Sequence, residues 1–230
     1  MFDPDALSRI HFSTDPFVFG TVEGFFSETF LASLESRLEK ALIDFIPSRI
    51  TSPLMTFSSG EMPDREFWRD VEDALTAEEL SSSFYRKFGV DWPEQFIVKK
   101  GIAVHVESQG AKLLPHTDSA WDPTRSPSGP FKPCVFSLQI YLPVDLDDES
   151  LGTCLYEKST DGNFLERRKI PYRRNLLFAF RPGPQTFHGF DELSLGGRLR
   201  TSIVVRHNLF PREMLETLRK KMAARIQVRP

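Results

Sequence analysis

The sequence predicts an α+β chain whose helices come first and whose remaining length forms a β-sandwich or jelly roll. Three observations carry this. Apolar residues return at spacings of three and four within the first 95 residues, and from about Phe96 short β-branched and aromatic runs alternate with Gly, Pro, Asp and Ser. After about residue 210 the pattern turns helical again. Strands that follow one another with turn signals between them favour stacked sheets over alternating βαβ units. A chain of 230 residues is long enough for one buried core and short for two, so a single domain spanning 1–230 is expected.

The elements follow in order. Ser27 and Glu28 open a run in which Phe30, Leu31, Leu34, Leu38 and Leu42 share one face, predicting a helix over Ser27–Phe45. A second helix is expected over Arg65–Phe88, with Pro63 near its start and Gly89 at its end. Residues 1–95 therefore read as mainly helical, with their helices packed on one sheet. The core, residues 96–210, offers strands at Ile97–Val106, Val135–Val144, Thr153–Glu157, Leu176–Phe180 and Leu199–His207. Ser119–Pro133 carries four prolines in fifteen residues and must be a loop. A C-terminal helix over Pro211–Ile226, within 211–230, has Pro in its first turn and Lys220, Lys221 and Arg225 towards its end, where cations suit the helix dipole.

Composition narrows the function classes. Basic and acidic residues nearly balance, 29 against 32, so no broad field favours nucleic acid or an anionic membrane as a partner. The acidic start, Met1-Phe2-Asp3-Pro4-Asp5, shows neither a secretory signal nor a membrane span, and a cytoplasmic location is expected. Cys134 and Cys154 stand apart in apolar segments, without the close pairing of a zinc site, and read as buried and reduced. Twenty-one phenylalanines suit either a packed core or a ligand-lined barrel.

Pro115-His116-Thr117-Asp118 places an imidazole and a carboxylate two residues apart, and on a strand residues i and i+2 point the same way. Alone this is a weak signal, since roughly 0.7 such pairs arise by chance in a chain of this composition. A second half strengthens it. The buried strand Leu176–Phe180 is followed by Phe187-His188-Gly189, and then Gly196-Gly197 leads into Arg198-Leu199-Arg200-Thr201-Ser202-Ile203. An arginine that points inward from an apolar strand needs an anionic partner.

With these motifs in order, residues from about Ile97 to His207 resemble the 2-oxoglutarate-dependent oxygenases of the prolyl-hydroxylase-like type. Gly110 before the Pro-His-x-Asp motif, Ser-Leu-Gln-Ile-Tyr-Leu at 137–142, Leu-Gly-Thr at 151–153, Leu-Leu-Phe-Ala-Phe, Phe-His-Gly and Arg-x-Ser at 200–202 carry the resemblance. It implies a double-stranded β-helix, the jelly-roll or cupin-like core, with His116, Asp118 and His188 as catalytic metal ligands for Fe(II). Two imidazoles and a carboxylate leave adjacent coordination positions free, to be taken by 2-oxoglutarate and O2. Arg200 matches the arginine that holds the far carboxylate of the co-substrate, and Ser202 belongs to the same Arg-x-Ser pattern. Arg198 holds the place, ten residues after the histidine, where the family commonly has that arginine. Tyr141 matches a family tyrosine that binds the same carboxylate, whereas Leu113 stands where the family often has another.

The resemblance further implies oxidative decarboxylation of 2-oxoglutarate to succinate and carbon dioxide with hydroxylation of an unactivated C–H bond. Asp118 argues against halogenation, because related halogenases lack that carboxylate. A small-molecule substrate is expected, such as an amino acid, a sugar or a secondary metabolite. A peptidyl hydroxylase and a non-catalytic metal- or ligand-binding β-barrel are the alternatives. The Pro-rich loop with Trp121, Arg125, Phe131 and Lys132 reads as a lid. His105 and His207 read as satisfied histidines, Arg206 and Arg167-Arg168-Lys169 as solvated faces, and Arg173-Arg174 as the end of a turn.

Overall fold

The computed structural model describes residues 1–3, 5–49, 52–92, 94–118, 134–143 and 148–213. The lid expected at 119–133, Val144 and most of the expected C-terminal helix lie outside these residues. Three α-helices and eleven strands are described, besides short 3-10 turns: β1 (His11–Ser13), β2 (Phe19–Glu23), α1 (Glu28–Asp44), β3 (Leu54–Ser58), α2 (Arg65–Leu75), α3 (Glu78–Phe88), β4 (Phe96–Glu107), β5 (Leu113–His116), β6 (Cys134–Tyr141), β7 (Thr153–Lys158), β8 (Phe164–Ile170), β9 (Leu176–Phe180), β10 (Phe187–Phe190) and β11 (Arg200–Pro211). They form a seven-stranded sheet of order β1-β2-β9-β6-β11-β4-β3 and a four-stranded sheet of order β5-β10-β7-β8. The strand pairings are antiparallel.

Period-two alternation makes the large sheet the middle layer of three. On β4, β6 and β11, Val104, Val106, Leu138, Ile140, Ile203 and Val205 point to one side, into a core shared with Leu31, Leu34 and Leu38 of α1, Trp68 and Val71 of α2, and Phe84 of α3. Burying each such side chain contributes about 1.5–3 kcal/mol. The opposite side faces the small sheet across a second core, where Tyr141, Phe178 and Phe180 meet Leu155, Ile170 and Phe190.

The structure refines the sequence reading in three places. The helix expected over Arg65–Phe88 is two helices. Ala77 is extended (φ −53°, ψ 143°), and the Thr76 hydroxyl and amide both donate to the Glu72 carbonyl, closing the first helix. Gly89 does end α3, in the left-handed region at φ +59°. The first 95 residues also carry strands beside their helices: β2 joins the large sheet beside β9, and β3 extends its other edge along β4. A side-chain clamp ties this segment to the core: Asn175 accepts from the Phe26 amide at 2.8 Å and donates to the Phe26 carbonyl at 2.9 Å. Beside it Arg174, expected to end a turn, is held by Glu28 and Glu35 of α1. Finally, Pro211 is still part of β11, which keeps its register with β4 as far as Phe96, and helical residues follow directly at Arg212 and Glu213.

Candidate metal centre

Two neighbouring strands of the small sheet present the histidines. His116 on β5 and His188 on β10 are register partners, and their ring centroids lie 4.4 Å apart. Gly189 permits this approach, since a Cβ there would lie 2.2 Å from the Leu113 carbonyl oxygen. Two residues beyond His116, Asp118 turns its carboxylate into the same space and is 8% exposed. Ligand atoms of His116, Asp118 and His188 all lie within 4.8 Å of one another.

The backbone orients both rings. His116 Nδ1 is 3.1 Å from the Leu114 carbonyl, and His188 Nδ1 is 3.0 Å from the Thr186 carbonyl. A carbonyl can only accept, so each Nδ1 carries the proton and each Nε2 keeps its lone pair for a metal. Burial holds the His188 imidazole below its ordinary range against the opposing pull of Asp118, which favours the neutral ligand form. Cys154, Glu166 and Asp191 form a second group with possible ligand atoms, but two of its three members are exposed acids.

Above the triad a cavity of about 50 Å³ opens between the sheets. Its walls include His105 and Glu107 of β4, Ser137 and Gln139 of β6, Thr153 of β7 and Arg206 of β11. Burial pushes His105 down to about 4, so near neutrality it is uncharged. Arg206, read from sequence as solvated, is 45% exposed yet reaches Asp118 Oδ1 with Nη2 at 3.4 Å. Its place on β11 explains the difference, because Arg200, Ser202, Val204 and Arg206 all fall on the side facing the small sheet.

The two arginines proposed for a distal carboxylate separate cleanly. Arg200 is fully buried, and its guanidinium carbon sits 4.8–5.4 Å from the ring centres of Phe190, Tyr172 and Tyr141. Its Nε donates to the Leu151 carbonyl at 2.6 Å, and Nη1 lies 3.1 Å from Glu107 Oε2. Nη1 and Nη2 make no well-formed hydrogen bond among the described residues. Arg198 precedes the strand and turns Nε back to the Leu195 carbonyl at 3.2 Å. Tyr141 is buried beside Arg200 and donates its hydroxyl to Thr153, while Ser202 accepts from Gln139 at 3.1 Å. Sequence reasoning missed Glu107, Thr153, Gln139 and Tyr172. For Glu107 a signal existed: as the last residue of a strand whose alternation places His105 inward, it had to face inward too.

The expected histidine and cysteine environments can be placed as well. His207 is buried on the helix side, with Nδ1 2.6 Å from the Tyr85 hydroxyl. Cys134 and Cys154 are buried and free. Arg167 is exposed beside Asp15 and Glu157 on β8.

No protein-family model matches the sequence, and no curated protein matches it. Solved structures do match in fold. A Pseudomonas putida prolyl-4-hydroxylase is similar with a TM-score of 0.52 at 13% identity, over 89% of this chain and 95% of that one. A Trichoplax adhaerens prolyl hydroxylase, solved with a peptide fragment of the hypoxia inducible factor oxygen degradation domain, gives 0.51 at 11% identity over 83% of each chain. HygX from Streptomyces hygroscopicus, solved with nickel, 2-oxoglutarate and hygromycin B, gives 0.51 at 13% identity over 83% of this chain and 82% of that one. The chain therefore shares the prolyl-4-hydroxylase-like fold of these structures.

Proposed function

We propose that this chain is an Fe(II)- and 2-oxoglutarate-dependent dioxygenase that hydroxylates a C–H bond of a small molecule. The observation that carries the reading is the convergence of His116, Asp118 and His188, with both free Nε2 atoms available, at one cavity between the sheets. On this reading the two-sheet core is a double-stranded β-helix.

The residues suit the groups they would hold. Two neutral imidazoles and one carboxylate form the donor set of a facial Fe(II) site with adjacent open positions. Arg200 offers a planar, permanently charged fork in a buried aromatic cage, with Nη1 facing Glu107, and Tyr141 and Thr153 add hydroxyls beside it. Iron and 2-oxoglutarate, when bound, supply the activation of O2 that ends in succinate, carbon dioxide and an oxidised substrate carbon. The chain's own contribution is to position these groups and exclude water. The carbonyls of Leu114 and Thr186 fix the imidazole planes, Arg206 borders the Asp118 carboxylate, and Phe180 and Phe190 supply apolar walls.

Solved structures of this fold include one with hygromycin B and one with a peptide fragment, so substrate size is the point to test. Purified, iron-reconstituted protein should form succinate from 2-oxoglutarate and O2 faster when a cognate small molecule is added. Stimulation by prolyl peptides alone would overturn the substrate class. Absence of succinate with either panel, in protein shown to bind iron and 2-oxoglutarate, would favour a binding protein.

A further inference from the structure

Glu107 stands where the oxygenase reading expects a ligand. It is 1% exposed, it closes β4, and it is the register partner of Arg200 on β11. Glu107 is among the residues that line the cavity, whereas Arg200 is not and has no exposed surface. A carboxylate entering from the metal side therefore meets Glu107 before it meets the guanidinium. The pair is also imperfect: Glu107 Oε2 and both terminal nitrogens of Arg200 lack well-formed hydrogen bonds among the described residues.

Resting on the oxygenase reading, we propose that Glu107 is an internal occupant of the co-substrate's carboxylate site. It holds Arg200 in the ligand-free protein. A dicarboxylate binds by taking over Arg200, while Glu107 accepts one proton from solvent and becomes a neutral carboxylic acid.

Charge balance drives the exchange. Two carboxylates around one guanidinium in a water-poor site leave one negative charge uncompensated, and the least costly relief is a proton on one of them. Burial already pushes the Glu107 carboxyl upward against the pull of Arg200. Other groups facing it do not supply the missing positive charge. His105, on the same strand, is held neutral by burial with Nδ1 3.9 Å from Glu107 Oε1. Tyr141 from β6 and Tyr172 from the segment after β8 are held protonated by burial, Tyr172 being pushed up to about 12. Across the cavity lie His116, His188 and Asp118, which the metal would engage, and Arg206 stands beside Asp118. Leu54, the register partner on β3, brings no charge.

The test compares 2-oxoglutarate with 2-oxopentanoate, which has the same chain length and 2-oxo acid but a methyl group in place of the distal carboxylate. Calorimetric binding to the Ni(II)-loaded full chain, repeated in buffers of different ionisation enthalpy, counts protons taken up. For 2-oxoglutarate the count should exceed that for 2-oxopentanoate by about one. Its affinity should also fall about tenfold more steeply per pH unit wherever Glu107 is ionised in the free protein. Glu107→Gln should remove both differences.

Equal proton uptake for the two acids in the wild type would overturn the proposal, and that comparison stands even if Glu107→Gln fails to fold. A difference that persists in Glu107→Gln would overturn it too. Binding of 2-oxoglutarate to Glu107→Gln but not to the wild type would support it, as an occupant that yields poorly. Failure of 2-oxoglutarate to bind either protein, with nickel bound, would remove the oxygenase reading and this proposal together.

Discussion

The two sides of the seven-stranded sheet use the same strands for opposite ends. Towards the helices, β4, β6 and β11 present Val104, Leu138, Ile140, Ile203 and Val205 in an apolar core. Towards the small sheet the alternate residues are His105, Glu107, Ser137, Gln139, Arg200, Ser202 and Arg206. The first side gains stability by removing apolar surface from water. The second is burdened by buried polar groups, each costly unless paired, and it is tolerable only because the first side holds the strands in place. The comparison teaches that chemistry and stability here are divided by strand parity, one residue apart.

Substitutions can break or sharpen that division. The largest functional effect should come from Asp118→Ala, which removes a proposed metal ligand while deleting no apolar contact. Succinate formation should disappear with the thermal midpoint nearly unchanged, and wild-type turnover by the variant would refute the ligand assignment.

Arg200→Ala should blur the division, because it leaves Glu107 buried without its cation. A cost of about 3–5 kcal/mol in denaturant unfolding is expected, along with a larger loss of 2-oxoglutarate affinity than Arg198→Ala causes. The reverse order of affinities would assign the distal carboxylate to Arg198.

Leu138→Ala probes the other side. It should lower unfolding free energy by about 2–5 kcal/mol through lost burial and a residual cavity. Metal affinity at temperatures where the variant remains folded should stay near the wild-type value.

The smallest effect concerns the helix-side histidine. Burial depresses His207 from about 6.5 in the unfolded chain to about 3. A depressed folded pKa means that the unfolded state binds the proton first, so this contribution is complete above about pH 6.5 and is lost as pH falls towards 3. Between about pH 7 and pH 5, wild-type stability should drop by about 2 kcal/mol more than that of His207→Phe. Parallel pH profiles in urea denaturation would show that His207 takes up a proton in the fold.

Much of this arrangement was legible in the sequence. The spacing of Leu31, Leu34 and Leu38 gave α1 almost to the residue, and the β-branched runs gave β4, β6, β7, β9 and β11. His116, Asp118 and His188 could be singled out because the His-x-Asp spacing at the end of β5 is local and the third is followed by a glycine whose missing Cβ lets the strands close. What remained hidden depends on tertiary pairing. Phe19–Glu23 becomes a strand by lying against β9, and its five residues carry no strong alternation of their own. Arg206 looks like any surface arginine until register with β4 and β6 sets it beside Asp118. Glu107 likewise gains its meaning only from standing opposite Arg200, 93 positions away in the chain.

The central claim is that these three side chains bind a metal which then takes a 2-oxo acid. Anaerobic titration of the protein with Fe(II), followed by 2-oxoglutarate, tests it most directly through the visible charge-transfer absorption of a chelated 2-oxo acid on Fe(II). Saturation at one iron per chain, with the absorption appearing in the wild type and absent from Asp118→Ala and His188→Ala, is the predicted result. Equal absorption in the wild type and both variants, or none in a folded wild type that has bound iron, would contradict it.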